Sequence, residues 1–327
     1  MHELWELKQK QSLPLGEKIN ASLDLIREWY EYWGGQVYVS FSGGKDSTVL
    51  LHLVRSIYPD VSAVFIDTGL EYPEIRDFVK TVNNVIWLKP KMNFRKVIET
   101  YGYPIISKEV SKIIYGARHS INKKENYKAR LNGLNSDGTY SKFRQGFIKY
   151  KYLLDAPFEI SNRCCLQIKE NPAMNYEKES DRKPFIATMA CESKQRKDGW
   201  LKTGCNAFAK NKNDRNISKP MSFWTEQDIL QYLREFNIPY ASIYGDIVEE
   251  MTQYKKKENK PTGKLITTGC DRTGCIFCMY GCHLEKEPNR FQRLRKTHPK
   301  LYDYCMRDWS AGGLGLKNVL DYINVKY

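Results

Sequence analysis

Two groups of residues in this 327-residue chain have types and spacings suited to chemistry. The first is Ser42-Gly43-Gly44-Lys45-Asp46-Ser47. Paired glycines let backbone N–H groups approach a ligand closely, and at the start of a helix those groups favour an anion, most naturally a phosphate. The spelling differs from the common phosphate loop, which places four residues between its first glycine and Gly-Lys-Ser/Thr. The bland alternative is a glycine turn that only caps a helix. The second group runs from Gly269 to His283 and places Cys270, Cys275, Cys278 and Cys282 close to a histidine. A Cys-x-x-Cys turn brings two sulfurs to one side, which by itself suits zinc, an iron–sulfur cluster or a redox dithiol. Cys164-Cys165 adds adjacent thiols far upstream.

These residues need elements to hold them. Val37, Val39 and Phe41 alternate as in a strand whose end carries Ser40, and Thr48 to Val54 continue at helical spacing. A second strand, Val61 to Ile66, runs into Asp67-Thr68-Gly69, placing a carboxylate and a hydroxyl at the carboxyl edge of a sheet, where ligands bind in open α/β folds. Asn84 to Leu88 reads as a third strand and Phe94 to Tyr101 as a helix. The alternation predicts an α/β fold with a doubly wound parallel sheet and a cysteine-rich C-terminal segment. One or two helices precede it, with Leu23, Ile26, Trp29, Tyr30 and Trp33 on the apolar face and Gly34-Gly35 as the stop.

Further on, a helix is expected from about Tyr103 to Ile114, a strand over Phe185 to Ala190, and a helix opened by Ser222 or Thr225 and ending at Phe236. Residues 121 to 152 lose periodicity and interleave lysines and arginines with tyrosines and phenylalanines. That pattern suits a phosphate backbone and stacked bases, or equally a solvated helical insertion whose aromatics pack inward. Glu249 to Gly263, with Lys255-Lys256-Lys257 and Pro261, reads as a loop or linker. The expected organisation is a nucleotide-binding domain over 1–248, with a basic insertion at about 115–155, followed by a cysteine-rich segment and basic helical tail over 249–327.

Fifty-two lysines and arginines against 38 acids give a net charge of +14, which favours polyanionic partners such as nucleotides, DNA or RNA and equally serves solubility. No apolar run approaches the ~18 residues of a membrane span, and Met1 to Glu6 lack the pattern of a signal peptide, so a cytoplasmic location and no membrane partner are expected. Nine cysteines in that compartment point to metal or redox chemistry over disulfides.

Four segments, in order, resemble the phosphoadenosine phosphosulfate (PAPS) reductase family of the PP-loop, adenine nucleotide α-hydrolase-like superfamily: Ser42 to Ser47, Phe65 to Gly69, Pro220 to Ile229 with Ile238-Pro239-Tyr240, and Arg272 to Cys278. The resemblance implies an adenine nucleotide on Ser42, Gly43, Gly44, Lys45, Asp46 and Ser47, with Ser40, Asp67, Thr68 and Gly69 completing its site. It implies catalytic roles for Lys45 and Asp46, and for Arg196 in Glu192-Ser193-Lys194-Gln195-Arg196, similar to the loop whose arginine meets the sulfonucleotide. A [4Fe–4S] cluster is implied, with zinc as the alternative. In the branch that resembles the DNA-phosphorothioation protein its ligands are Cys270, Cys275, Cys278 and Cys282. In the branch that reduces adenylyl sulfate (APS), Cys164 and Cys165 replace Cys270 and Cys282.

The family's reductases use a cysteine in a C-terminal segment, whereas Ala311 to Tyr327 carry none, so that reaction needs Cys191, Cys205 or Cys305 as a stand-in. The full loop spelling resembles the ATP-using members, including the small subunit of ATP sulfurylase, which moves the expected ligand from PAPS or APS to ATP with Mg2+. Adenylyl and sulfur transfer, with a cysteine desulfurase or thioredoxin-type donor of sulfur or electrons, is the reaction so implied. Sulfite formation from PAPS or APS, and a nucleotide- and DNA-binding regulator without turnover, are the alternatives.

Overall fold

The structure is a computed structural model and describes residues 2–209, 211, 214–254 and 258–327. Its strands are β1 (Val37–Ser40), β2 (Ala63–Ile66), β3 (Val85–Leu88), β4 (Ile105–Ile106), β5 (Lys183–Ile186), β6 (Asn206–Ala207), β7 (Ile217–Ser218), β8 (Ile247–Tyr254), β9 (Glu258–Thr267) and β10 (Met279–Tyr280). The chain divides into two compact units: residues 1–67, 71–89 and 172–274 form the first, and 68–70, 90–171 and 275–327 the second. Neither is continuous, and the division differs from the single cut expected at 248.

The first unit is built on a six-stranded sheet of order β3-β2-β1-β5-β7-β6, parallel except for the β6–β7 pair. The expected α/β fold is therefore observed. Val37, Tyr38 and Val39 are all buried, as parallel strands covered on both faces require. Trp29 and Ile26 of the helix Leu15–Tyr32 and Val49, Leu50 and Val54 of Lys45–Ile57 join the core, together with Phe65, Phe185, Phe223 and Trp224. Strand order reverses at β1, whose neighbours are β2 on one side and β5 on the other, so its carboxyl end is the topological switch point of the sheet.

Two expectations change and a third is narrowed. The fourth strand of the parallel sheet is β5, two residues earlier than read, because Met189 and Ala190 are buried in a turn whose Ala190 N–H donates to the Ser222 carbonyl at 2.7 Å. Of the two caps expected for the helix Glu226–Glu235, Thr225 is the one used: Thr225 and Asp228 exchange hydrogen bonds in a capping box. The polar stretch read as a linker is instead the β8–β9 pair, whose described side chains are largely exposed and leave no apolar alternation to read. Pro261 sits beside the irregularity in register between Glu249 and Met251, where a missing N–H is tolerated. Lys255, Lys256 and Lys257 lie outside the described residues.

In the second unit β4 and β10 pair in parallel. The basic insertion forms the helices Lys108–His119 and Lys124–Leu131 and a run of 3₁₀ turns over Lys142–Asp155. Its aromatics divide between both readings. Tyr152 lies against Tyr322 and Tyr150 meets His283 edge-on, whereas Phe143 and Tyr140 are 91% and 70% exposed. Among the described residues no helix is long and apolar enough to cross a membrane.

Candidate functional site

The loop Ser42–Ser47 leaves the switch point after Ser40 and enters the helix Lys45–Ile57 through Gly44 at its N-cap. Gly43 has φ +71°, and a Cβ there would come within 2.7 Å of Val79 Cγ2 and 2.8 Å of Ile75 Cγ2, so only glycine lets the loop lie against the helix Pro73–Thr81. The hydroxyls of Ser42 and Ser47 lie 3.0 Å apart, and Ser47 donates to the Gly44 carbonyl at 2.9 Å. The loop is thus held from within.

Lys45 is buried, and its ammonium pairs with Glu226 at 2.8 Å, donates to the Asp271 carbonyl and lies 5.4 Å from the Tyr244 ring centre. Tyr244 in turn accepts from the Lys45 N–H at 3.3 Å and bonds Thr273 Oγ1 at 2.6 Å. One oxygen of Asp46, Oδ1, is buried without a hydrogen-bond partner. Burial raises the carboxyl pKa of Asp46, against the opposing charges of Lys45, Arg272 and Arg196. Arg196 stands in the first turn of the helix Lys194–Thr203, capped by Ser193, and both it and Arg272 pair with Glu192. Desolvation, then the charge of Arg272, lowers the Arg196 pKa. The structure therefore gathers Lys45, Asp46 and Arg196 with three charged residues that sequence reasoning had not assigned to the site: Arg272, Glu192 and Glu226. Arg272 opens the Arg-Thr-Gly-Cys segment, Glu192 opens the Glu-Ser-Lys-Gln-Arg segment and Glu226 falls within Pro220 to Ile229, but nothing in those spellings set their charges beside Lys45.

Asp67 is buried, donates its backbone N–H to the Leu88 carbonyl at 2.8 Å and pairs with Arg76 at 2.8 Å. Thr68 and Gly69 fall in the second unit, where Thr68 Oγ1 accepts from the Leu70 N–H at 3.1 Å and Gly69 has φ +74°.

Of the other cysteines in the first unit, Cys191 is exposed and within electrostatic reach of Asp46, Glu226 and Arg272. Desolvation, then the two carboxylates, raises its thiol pKa. Cys205 is buried and accepts from the Ser222 hydroxyl at 3.2 Å. Cys270, also in this unit, donates to the Arg272 carbonyl at 2.8 Å.

Cys164, Cys165, Cys275, Cys278 and Cys282 all belong to the second unit. Cys164 and Cys165 occupy the short helical turn Arg163–Cys165, which runs on through a π turn over Leu166–Glu170, and their sulfurs lie 3.9 Å apart. The Cys275–Cys278 turn is closed by a Cys278 N–H to Cys275 carbonyl bond of 3.0 Å and anchored where Ile276 N–H donates to the Leu70 carbonyl at 2.8 Å. Hydrogen bonding to Cys165, then burial and the charges of Cys165, Cys278 and Cys275, raises the Cys164 thiol pKa. That of Cys165 is lowered by the Cys164 bond and by Lys108 and Lys169. Cys282 is buried, its thiol pKa pushed up to about 12 by desolvation and its sulfur donating to the Met279 carbonyl at 3.1 Å. His283 bonds Tyr150 through Nε2 at 3.3 Å while its Nδ1 is buried without a partner.

Among the described residues no three His, Cys, Asp or Glu side chains converge closely enough to hold a single metal ion. Cys165, Cys275 and Cys278 lie within electrostatic reach of Cys164, with Lys108 and Lys169 near Cys165, a thiol set of the chemical type that zinc or an iron–sulfur cluster takes.

Residues 36–144 match the phosphoadenosine phosphosulfate reductase domain family. The similarity to that family thus covers one third of the chain. Curated relatives of this domain include an uncharacterized protein of Methanocaldococcus jannaschii, 41% identical over 30% of this chain and 25% of its own length. The adenosine 5'-phosphosulfate reductase of Geobacillus kaustophilus is 25% identical over 34% of this chain and 50% of that enzyme. Adenosine 5'-phosphosulfate reductase 1 of Bacillus subtilis is 24% identical over 45% and 66%. The chain thus spans a quarter to about two thirds of the length of these relatives. A solved PAPS reductase of Candida auris in complex with phosphate aligns over 74% of this chain and 91% of that one, at 14% identity and a TM-score of 0.37.

Proposed function

We propose that the chain is an adenine-nucleotide-dependent enzyme of sulfur chemistry that takes ATP on the Ser42–Ser47 loop and carries a [4Fe–4S] cluster on Cys164, Cys165, Cys275 and Cys278. The observation that carries this reading is the gathering of Lys45, Arg196 and Arg272 at a glycine loop on the switch point of the sheet. Those cations offset phosphate charge as it shifts toward a leaving group. The orphan oxygen of Asp46 fits a hard cation, which supplies Lewis-acid help when bound. Gly43 and the linked serines hold the shape of the loop, and a nucleotide takes the Lys45 N–H over from Tyr244 and the Lys45 ammonium over from Glu226. In the reaction so proposed, an acceptor hydroxyl attacks the α-phosphorus, loses its proton and releases pyrophosphate. A sulfur nucleophile then displaces AMP from the adenylated carbon. The cluster supplies electron or sulfur transfer when bound, and Lys108 and Lys169 offset its negative charge.

A second reading is favoured by Cys191 and by the relatives named as reductases. Its exposed thiol is the stand-in nucleophile: as thiolate it attacks the sulfate sulfur of APS or PAPS, expelling the nucleoside phosphate, and a thioredoxin-type dithiol then releases sulfite from the S-sulfocysteine. Cys205 and Cys305 are buried and unsuited to that role.

Anaerobically purified protein analysed for iron, sulfide and product nucleotides tests both. AMP and pyrophosphate from ATP support the first reading. Sulfite from APS or PAPS, abolished by Cys191→Ser, supports the second and overturns the first. Cys164→Ser and Cys278→Ser are expected to lose iron while Cys270→Ser keeps it; iron loss in Cys270→Ser alone would overturn the ligand set.

A further inference from the structure

Within the second unit, Lys108, Lys112, Tyr115 and His119 follow one another at spacings of four, three and four, which places them along one face of the helix Lys108–His119. Together with Arg163 and Glu170 they line a cleft of about 510 Å³ that shares no residue with the Ser42–Ser47 loop. Its charges do not cancel. Lys108 faces Glu170 at 3.6 Å and His119 meets Glu159 at 2.7 Å, whereas among the described residues no carboxylate pairs with Lys112 or Arg163.

Each ring of the cleft is accompanied by an arginine, Arg163 lying 5.9 Å from the centre of Tyr115 and Arg130 lying 5.8 Å from that of Tyr127. Tyr127 packs on Gly116, where a Cβ would come within 2.3 Å of its ring, so the position of the tyrosine depends on the glycine. Between Lys108 and Arg163 the sequence has twelve lysines and arginines against five acids, so this stretch supplies half of the chain's +14. The exposed rings of Phe143 and Tyr140 belong to it as well.

We propose that this cleft binds single-stranded nucleic acid, with Lys112 and Arg163 on its phosphates and the tyrosine side of the cleft against a base. The unpaired cations supply the phosphate attraction, and aromatic faces accept any base by stacking. A cleft of this volume fits a nucleotide-sized group, and stacking on a tyrosine needs a base that is free of a duplex. A free nucleotide shares this chemistry, so the test separates the two sources.

Fluorescence anisotropy of the full chain, without ATP, would be followed with a labelled single-stranded 12-mer, a duplex of the same sequence and labelled AMP, across a salt series. Lys112→Glu with Arg163→Glu is expected to weaken single-strand binding at least tenfold. The slope of log affinity on log salt should fall by about 1.4, at roughly 0.7 for each phosphate no longer neutralised. Lys112→Ala, a single exposed change that leaves the fold intact, should weaken binding about threefold, and Lys300→Ala should leave it unchanged. Absence of single-strand binding at low salt, unchanged affinity in the Lys112 variants, or dependence on these residues seen only with AMP or only with duplex would overturn the proposal. Because ATP is absent and no loop residue is altered, failure of the nucleotide-loop reading would leave this result unaffected.

Discussion

Replacing Glu226 by glutamine is expected to tighten phosphate binding, an unusual direction for a change beside a binding loop. Glu226 pairs with Lys45 at 2.8 Å, yet its side chain is 53% exposed, so solvent screens the pair and it is worth about 0.5–1 kcal/mol rather than a buried-pair value. A ligand phosphate must displace that carboxylate and then sit near it, which in a water-like medium at ~5 Å costs about 0.8 kcal/mol more. Glutamine removes both terms, about 1.5 kcal/mol together, or roughly tenfold in affinity. The change should lower stability by about 1–1.5 kcal/mol, since it breaks that pair and removes an acid from the first turn of the helix Glu226–Glu235. Isothermal titration of pyrophosphate and ATP into wild type, Glu226→Gln and Lys45→Met reads the effect, with Lys45→Met moving affinity the other way. Equal or weaker pyrophosphate binding by Glu226→Gln would refute the view that Glu226 occupies the phosphate's place on Lys45.

Other substitutions test the frame that holds the site. Lys18→Met strips Asp228 of a buried partner that it binds through both oxygens, at 2.9 and 2.7 Å, and should cost about 3 kcal/mol in urea unfolding; a loss below about 1 kcal/mol would contradict the burial argument. Gly43→Ala forces a side chain into left-handed backbone and against Val79 and Ile75, so a loss of about 2–3 kcal/mol together with weakened nucleotide binding is expected, and a variant of wild-type stability would show that the loop can shift away. Cys305, fully buried, has its thiol pKa pushed up to about 12 by desolvation. The unfolded thiol loses its proton first as pH rises, so its contribution to stability is complete below about pH 9 and disappears between about 9 and 12. The urea midpoint of wild type should therefore fall more steeply over that range than that of Cys305→Ala; parallel curves would remove Cys305 as the cause.

The loop, the sheet and its first three strands were legible because parallel strands between helices leave apolar runs, and because a glycine pair between a strand and a helix has few other uses. Thr225 was among the readable caps, its partner Asp228 three residues on. The pairing of β8 with β9 was not legible: among the described side chains of the two strands only Leu265 and Thr267 are buried, too few to set up a period. The two units were hidden for a different reason. Local composition cannot reveal that residues 90–171 fold with 275–327 while 249–274 fold with the sheet. At the site, Lys45, Asp46 and Arg196 could be named from spelling, but Glu192 and Glu226 act through position alone, which only the folded chain supplies.

The discontinuous sheet also bears on how the chain is made. Strand β1 gains its second neighbour only when residues 183–186 emerge, almost a hundred positions after β3 is complete. At synthesis rates of about 5–20 residues per second, one edge of the central strand stays open for roughly 5–20 s on the ribosome. Throughout that interval the loop that will hold a nucleotide projects from a half-built sheet. Nascent chains stalled near residue 170 should accordingly be cut by protease within residues 37–66, while chains stalled far enough on to expose β5 should resist.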